Sequence, residues 1–131
     1  MYEYTAKVLR VVDGDTLDLS IDLGFDIWTT QRVRLLGIDT PETHTLNLQE
    51  KALGVQAKAM VEGLIKTSLM VKVQTTKGDK YGRMLVTLFV DSLNVNEALV
   101  AAGYAWRYDG KAKDKTLGLL GITHSAKTTS F

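Results

Sequence analysis

A small, mainly β (α+β) barrel carrying two helices is the fold that this 131-residue sequence predicts. Three observations lead there. Apolar and polar residues alternate over five short runs, the period of a sheet with one face buried. One longer segment, between the third and fourth runs, instead repeats its apolar residues every three or four positions, as a helix does. With no cysteine and a single proline, the chain has neither disulfides nor a thiolate metal site to staple it, so burial must hold the fold.

The elements follow in order. Residues 4–12 alternate through Tyr4, Ala6, Val8 and Val11, a first strand. Asp13-Gly14-Asp15 is a tight turn, of a type in which Asp-Gly favours left-handed backbone. Leu17, Leu19 and Ile21 share one face of a second strand. Residues 24–30 read as a loop carrying Trp28, and residues 31–36 as a third strand with Val33 and Leu35 opposing Arg32 and Arg34. Pro41 stops the ladder after Asp39, and a polar loop runs to about Gln49. Leu53, Ala57, Met60, Val61, Leu64 and Ile65 then form a helical stripe.

Residues 69–75 and 84–90 are the fourth and fifth strands, joined by the basic turn 77–83. Asn94 and Glu97 have the spacing of a cap and its partner, opening a short helix that Gly103 ends. Five strands with a helix between the third and fourth, and a short helix after the fifth, fit a five-stranded Greek-key OB-fold barrel. Closure removes sheet edges, which suits a chain this short. One domain is expected over residues 1–109, followed by a divergent tail, 110–131, in which Gly118 and Gly121 interrupt any helix. Residues 117–131 are expected to add little to the core.

Bulk charge is uninformative: 16 Lys+Arg against 15 Asp+Glu leave +1, too little to signal nucleic-acid binding. The start lacks the basic and apolar regions of a signal peptide, and no run approaches the roughly 18 apolar residues of a membrane span. A cytoplasmic monomer without membrane contact is therefore expected, unless a leader has been removed and the protein is secreted.

The chemistry lies in three segments. Asp13-Gly14-Asp15 alone reads as a turn; its functional meaning needs a second acidic cluster. Arg34-Leu35-Leu36-Gly37-Ile38-Asp39-Thr40-Pro41-Glu42 supplies one at a strand's end, where Pro41 turns the chain between Asp39 and Glu42. Two carboxylates, a backbone carbonyl and waters suit Ca²⁺ or Mg²⁺. Lys77-Gly78-Asp79-Lys80-Tyr81-Gly82-Arg83 is a solvated hairpin tip in isolation; beside such a site, Tyr81 can stack on a base and the cations can meet phosphate. Phosphodiester hydrolysis gives these parts one task. Glu42 orients or deprotonates water, Arg34 and Arg83 hold the equatorial oxygens, and a cation on Asp15 and Asp39 neutralises the same phosphate.

The strings at 12–16, 34–42 and 79–83, with Val95-Asn96-Glu97-Ala98-Leu99-Val100 and Gly103, resemble in order the signature segments of the staphylococcal nuclease (thermonuclease) family. The likeness runs from about Lys7 to Ala105. It implies a Ca²⁺-dependent nuclease acting on DNA or RNA with little sequence preference and leaving a 3′-phosphate. Asp15 and Asp39 would bind Ca²⁺ by side chains and Thr40 by its carbonyl. Glu42 would be the base or position the water, Arg34 and Arg83 would hold the phosphate, and Lys80 and Tyr81 would lie along bound nucleotide.

Departures from that pattern are the longer loop after Asp22, expected to reshape the rim beside Arg34, and the missing counterpart of the family's last helix. Tyr108 lies near the family's nucleotide-stacking tyrosines, Tyr104 and Trp106 read as core or rim aromatics, and His44 and His124 as solvent-exposed. The alternative function is a non-catalytic nucleic-acid or protein interaction module on the same barrel. The complete set Asp15, Arg34, Asp39, Glu42 and Arg83 favours the enzyme, since a binding module has no need of all five.

Overall fold

In the computed structural model the described residues are 2–66, 70–78, 84–108, 114–117, 122–125 and 128–129, with side chains described within 2–66, 70–75 and 84–108. The order of elements is β1 (Tyr2–Asp13), β2 (Thr16–Asp22), β3 (Trp28–Leu35), β4 (Ile38–Asp39), α1 (Leu48–Ile65), β5 (Val71–Gly78), β6 (Met84–Val90), β7 (Leu93–Asn94), α2 (Val95–Ala101), β8 (Trp106–Arg107), β9 (Asp114–Leu117), β10 (Ile122–Ser125) and β11 (Thr128–Thr129). The main sheet runs β3-β2-β1-β5-β6-β7, and a parallel pairing of β3 with β6 closes it into a five-stranded mixed barrel. The alternating residues line its interior: Ala6 and Val11, Leu17, Leu19 and Ile21, Val33 and Leu35, Val71 and Val73, and Val86, Leu88 and Val90 are all buried. This is the expected OB-fold barrel with its two helices. No helix among the described residues is long and apolar enough to cross a membrane.

The first turn departs from its sequence reading. Asp13 pairs with Thr16 across a two-residue turn, yet neither Gly14 nor Asp15 has a positive φ. Glycine is needed here for space. A Cβ at Gly14 would stand 3.0 Å from Ala57 Cβ on α1 and 3.1 Å from Thr40 Cγ2, tighter than ordinary van der Waals contact. The turn thus lies directly under the helix, bringing Asp15 up to the segment after β4.

The second turn lies far from the rim it was expected to reshape. In the β2–β3 ladder Thr16 faces Arg34 at one end and Asp22 faces Trp28 at the other. Six residues at about 3.3 Å each put the loop roughly 20 Å from Arg34. The register places it there: β3 begins at Trp28, a residue that its sequence context assigns to the loop. Gly24, Phe25 and Asp26 turn the chain with positive φ, and Lys7 Nζ sits 5.0 Å from the Trp28 ring centroid.

Helix α2 opens as its spacing predicts: the Glu97 N–H donates to Asn94 Oδ1 at 3.1 Å. The Glu97 carboxylate accepts instead from Arg107 Nη1 and Nη2, at 2.9 and 2.8 Å. At the other end Gly103, with φ +83°, donates to Val100 O and Tyr104 N donates to Leu99 O, the paired bonds of a Schellman stop. Asn96, buried on this helix, donates through Nδ2 to Leu36 O and Val86 O and accepts from Leu88 N. It therefore ties the ends of β3 and β6 together. Asn96→Ala would leave these buried groups unsatisfied and is expected to cost about 1–3 kcal/mol, measurable as a lower denaturation midpoint with an unchanged m-value.

The segment after residue 109 is the one expected as a divergent tail without a helix. It contains β9, β10 and β11, paired antiparallel as a separate small sheet in which Leu117 faces Ile122 and His124 faces Thr129. Gly118 and Gly121 lie outside the described residues, and the β-branched residues Thr116, Ile122, Thr123, Thr128 and Thr129 favour extended backbone.

Candidate active site

The site forms where β2 begins and β3 ends. Asp15 precedes Thr16, the cross-strand partner of Arg34, and its carbonyl accepts from Leu35 N at 2.8 Å. Gly37 then reverses the chain with φ +78°, a conformation that glycine adopts without strain. Strand β4 consequently leaves the barrel wall and pairs with β8, Ile38 facing Arg107 and Asp39 facing Trp106. Tyr108 N donates to Gly37 O at 2.8 Å, so β8 covers the acidic loop. That cover explains why Val33, Arg34 and Leu35 are buried in succession, against the alternation of an open strand.

Asp15 and Asp39 converge on one guanidinium nitrogen. Arg34 Nη2 lies 3.2 Å from Asp39 Oδ1 and 3.4 Å from Asp15 Oδ2, with all three side chains less than a tenth exposed. The Arg34 ring neighbour is Tyr108, whose centroid is 5.5 Å from Cζ. Burial disfavours the Arg34 charge, but the attraction of Asp15 and Asp39 outweighs it and raises the pKa above the ordinary guanidinium value. A raised basic pKa contributes stability that is lost only as pH rises through the folded value. Arg34 thus stays cationic at any working pH, and no limb of a pH–rate profile arises from it.

The residues beyond Asp39 are tied down one after another. Thr40 N donates to Asp15 Oδ2 at 3.1 Å, and Glu42 N to Glu50 Oε2 at 3.2 Å. Thr43 donates to Asp13 Oδ1 through both its hydroxyl and its N–H. Pro41 has no N–H to satisfy. Glu42 itself is half-buried.

Among the described residues no three His, Cys, Asp or Glu side chains are arranged to hold a metal ion by themselves. What the site offers is oxygen: two buried carboxylates, the Thr40 carbonyl, and a Thr40 hydroxyl that is buried with no hydrogen-bond partner among the described residues. An all-oxygen set of few protein ligands, completed by waters, fits a hard divalent cation.

Of the residues singled out in the sequence, Asp15, Arg34, Asp39, Thr40 and Glu42 come together in one loop cluster. Lys80, Tyr81 and Arg83 lie outside the described residues; Met84, the chain neighbour of Arg83, pairs with Val33 beside Arg34. Trp106 is buried and Tyr104 packs on the core, while His44 is exposed. Glu50, Asp13 and Thr43 take roles here that the sequence alone did not assign to them. The buried row of α1 is Glu50, Gly54, Ala57 and Val61, whose four-, three- and four-residue steps would have placed Glu50 on the inner face. Its first two members are not apolar, so the helical stripe of apolar residues leaves them out.

Residues 32–129 match the staphylococcal nuclease homologue family. The chain belongs to that family. The chain is 34% identical over 128 residues to an uncharacterized protein of Methanocaldococcus jannaschii, a match covering 80% of this chain and 59% of its relative. It is 34% identical over 124 residues to Protein ParB of Escherichia coli, covering 86% of this chain and 63% of that protein. An uncharacterized endonuclease of Escherichia coli O157:H7 is 34% identical over 115 residues, covering 87% of this chain and 67% of the relative. The chain spans about three fifths of the length of the first two of these relatives.

Proposed function

We propose that the protein is a Ca²⁺-dependent nuclease that hydrolyses phosphodiester bonds of DNA or RNA with little sequence preference. The observation that carries this reading is the convergence of two buried carboxylates on the buried Arg34, in the loop that also bears Glu42. The family, and relatives named as endonucleases, support the same chemistry. Asp15 and Asp39, with the Thr40 carbonyl, would hold the cation, which supplies charge neutralisation at the phosphate. Arg34, permanently charged, binds a non-bridging oxygen and stabilises the charge that develops there. Glu42 accepts a hydrogen bond from the attacking water and orients or deprotonates it. Tyr108, over the guanidinium, narrows the approach to Arg34 and offers an aromatic face to a nucleotide. Lys80 and Tyr81 would meet bound nucleotide, and Arg83 would supply the second guanidinium.

Hydrolysis of single-stranded DNA in millimolar Ca²⁺, stopped by a chelator, is the expected result. Binding without cleavage under both conditions would make the barrel an interaction module. Arg83→Ala is expected to lower turnover by about a hundredfold or more, the effect of removing one transition-state donor. A raised KM at near-normal rate would instead mean that Arg83 only binds substrate.

A further inference from the structure

Glu50 is fully buried at the first turn of α1, a place where a carboxylate is costly unless its oxygens are engaged. The positive end of the helix offsets part of that cost. One of its oxygens, Oε2, accepts from the Glu42 N–H. One turn further on, Gly54 lies against the carbonyl side of the same residue: a Cβ there would stand 2.5 Å from Glu42 O and 2.7 Å from Pro41 O. Helix α1 therefore grips Glu42 on both sides of its backbone, with an acceptor for its N–H and bare backbone against its C=O. Further along the same buried row the helix carries Ala57 and Val61, ordinary core residues. The departure from apolar packing is confined to the turns that touch the Pro41–Glu42 segment.

We propose that Glu50 is a positioning residue for Glu42, fixing the backbone from which its carboxylate reaches the attacking water, with Gly54 providing the clearance. This rests on the reading of Glu42 as the group that orients water. A reacting group held to within a fraction of an ångström can be worth large factors in rate. Removing the tether should therefore act on turnover and leave substrate affinity largely alone.

The test compares the intact wild-type chain with Glu50→Leu and Glu50→Gln, using a single-stranded DNA oligonucleotide with CaCl₂ and, separately, amide hydrogen exchange. In the wild type the Glu42 amide is expected to be protected. Glu50→Leu should expose that amide while core amides such as Leu19 and Val73 stay protected. It should lower kcat by about tenfold to a hundredfold with KM changed less than about twofold. Glu50→Gln, which keeps an acceptor oxygen, should recover most of both losses. Wild-type kcat in Glu50→Leu, or a loss that tracks general deprotection of the barrel, overturns the proposal. An unprotected Glu42 amide in the wild type overturns it too, and that measurement decides the matter if Glu50→Leu does not fold. Glu42 protection that follows Glu50 in a wild type that cleaves nothing supports the tether and overturns the nuclease reading.

Discussion

Asp39→Ala is expected to abolish Ca²⁺-dependent cleavage of single-stranded DNA while the barrel remains folded. Asp39 is one of two carboxylates aimed at the same point, and it sits on β4, whose pairing with β8 is made by backbone groups that the substitution leaves in place. On the proposed metal site the substitution removes one cation ligand, whereas Arg34 retains a partner in Asp15 at 3.4 Å. The loss should thus fall on activity far more than on stability. Cleavage rates with and without excess EGTA, beside thermal unfolding of the same samples, separate the two. Undiminished wild-type cleavage in EGTA would remove the metal assignment.

Arg34→Ala is expected to damage both stability and activity, in a way that Ca²⁺ partly repairs. The substitution leaves Asp15 and Asp39 buried beside each other without their shared cation. Breaking a buried ion pair in this manner costs about 3–5 kcal/mol. A cation that binds the same carboxylates in the folded state restores stability by mass action, so the variant should gain more from Ca²⁺ in chemical denaturation than the wild type does. Turnover should remain about a hundredfold to a thousandfold low even at saturating Ca²⁺, because the guanidinium proposed to stabilise transition-state charge is gone. Equal gains from Ca²⁺ in both proteins would show that the ion binds elsewhere.

Both expectations depend on residues that stand out in the sequence itself, and the reason is locality. Strand alternation such as Leu17-Leu19-Ile21 is written in consecutive side chains, because the pleat has a period of two. The cap at Asn94 and the stop at Gly103 likewise act within one turn of helix. Asp39, Thr40 and Glu42 follow almost directly on one another along the chain, so their nearness needs no long-range contact. In the sequence Asp15 joins them through the resemblance of residues 12–16 to a signature segment of the family, not through any property of Asp13-Gly14-Asp15 by itself.

The tertiary structure decided what depends on residues distant along the chain. Gly14 is required by the approach of Ala57 and Thr40, which no local turn rule contains. The β2–β3 register sends the loop after Asp22 to the end of the ladder away from Arg34. Closure of β3 on β6, and the cover of β8 over β4, bury Arg34 between Asp15 and Asp39, whose attraction outweighs the effect of burial and raises its pKa. Glu50 and Gly54 look like an exposed acid and a helix-weakening glycine when read alone. Their meaning comes from the Pro41–Glu42 backbone that packs on them, and that contact exists only once the helix has docked on the barrel. The sequence by itself determined the five barrel strands, the helix stop at Gly103 and the identity of the acids. Folding decided which groups share a buried charge and which backbone amides each carboxylate holds, since these depend on burial and register between segments that local patterning does not relate.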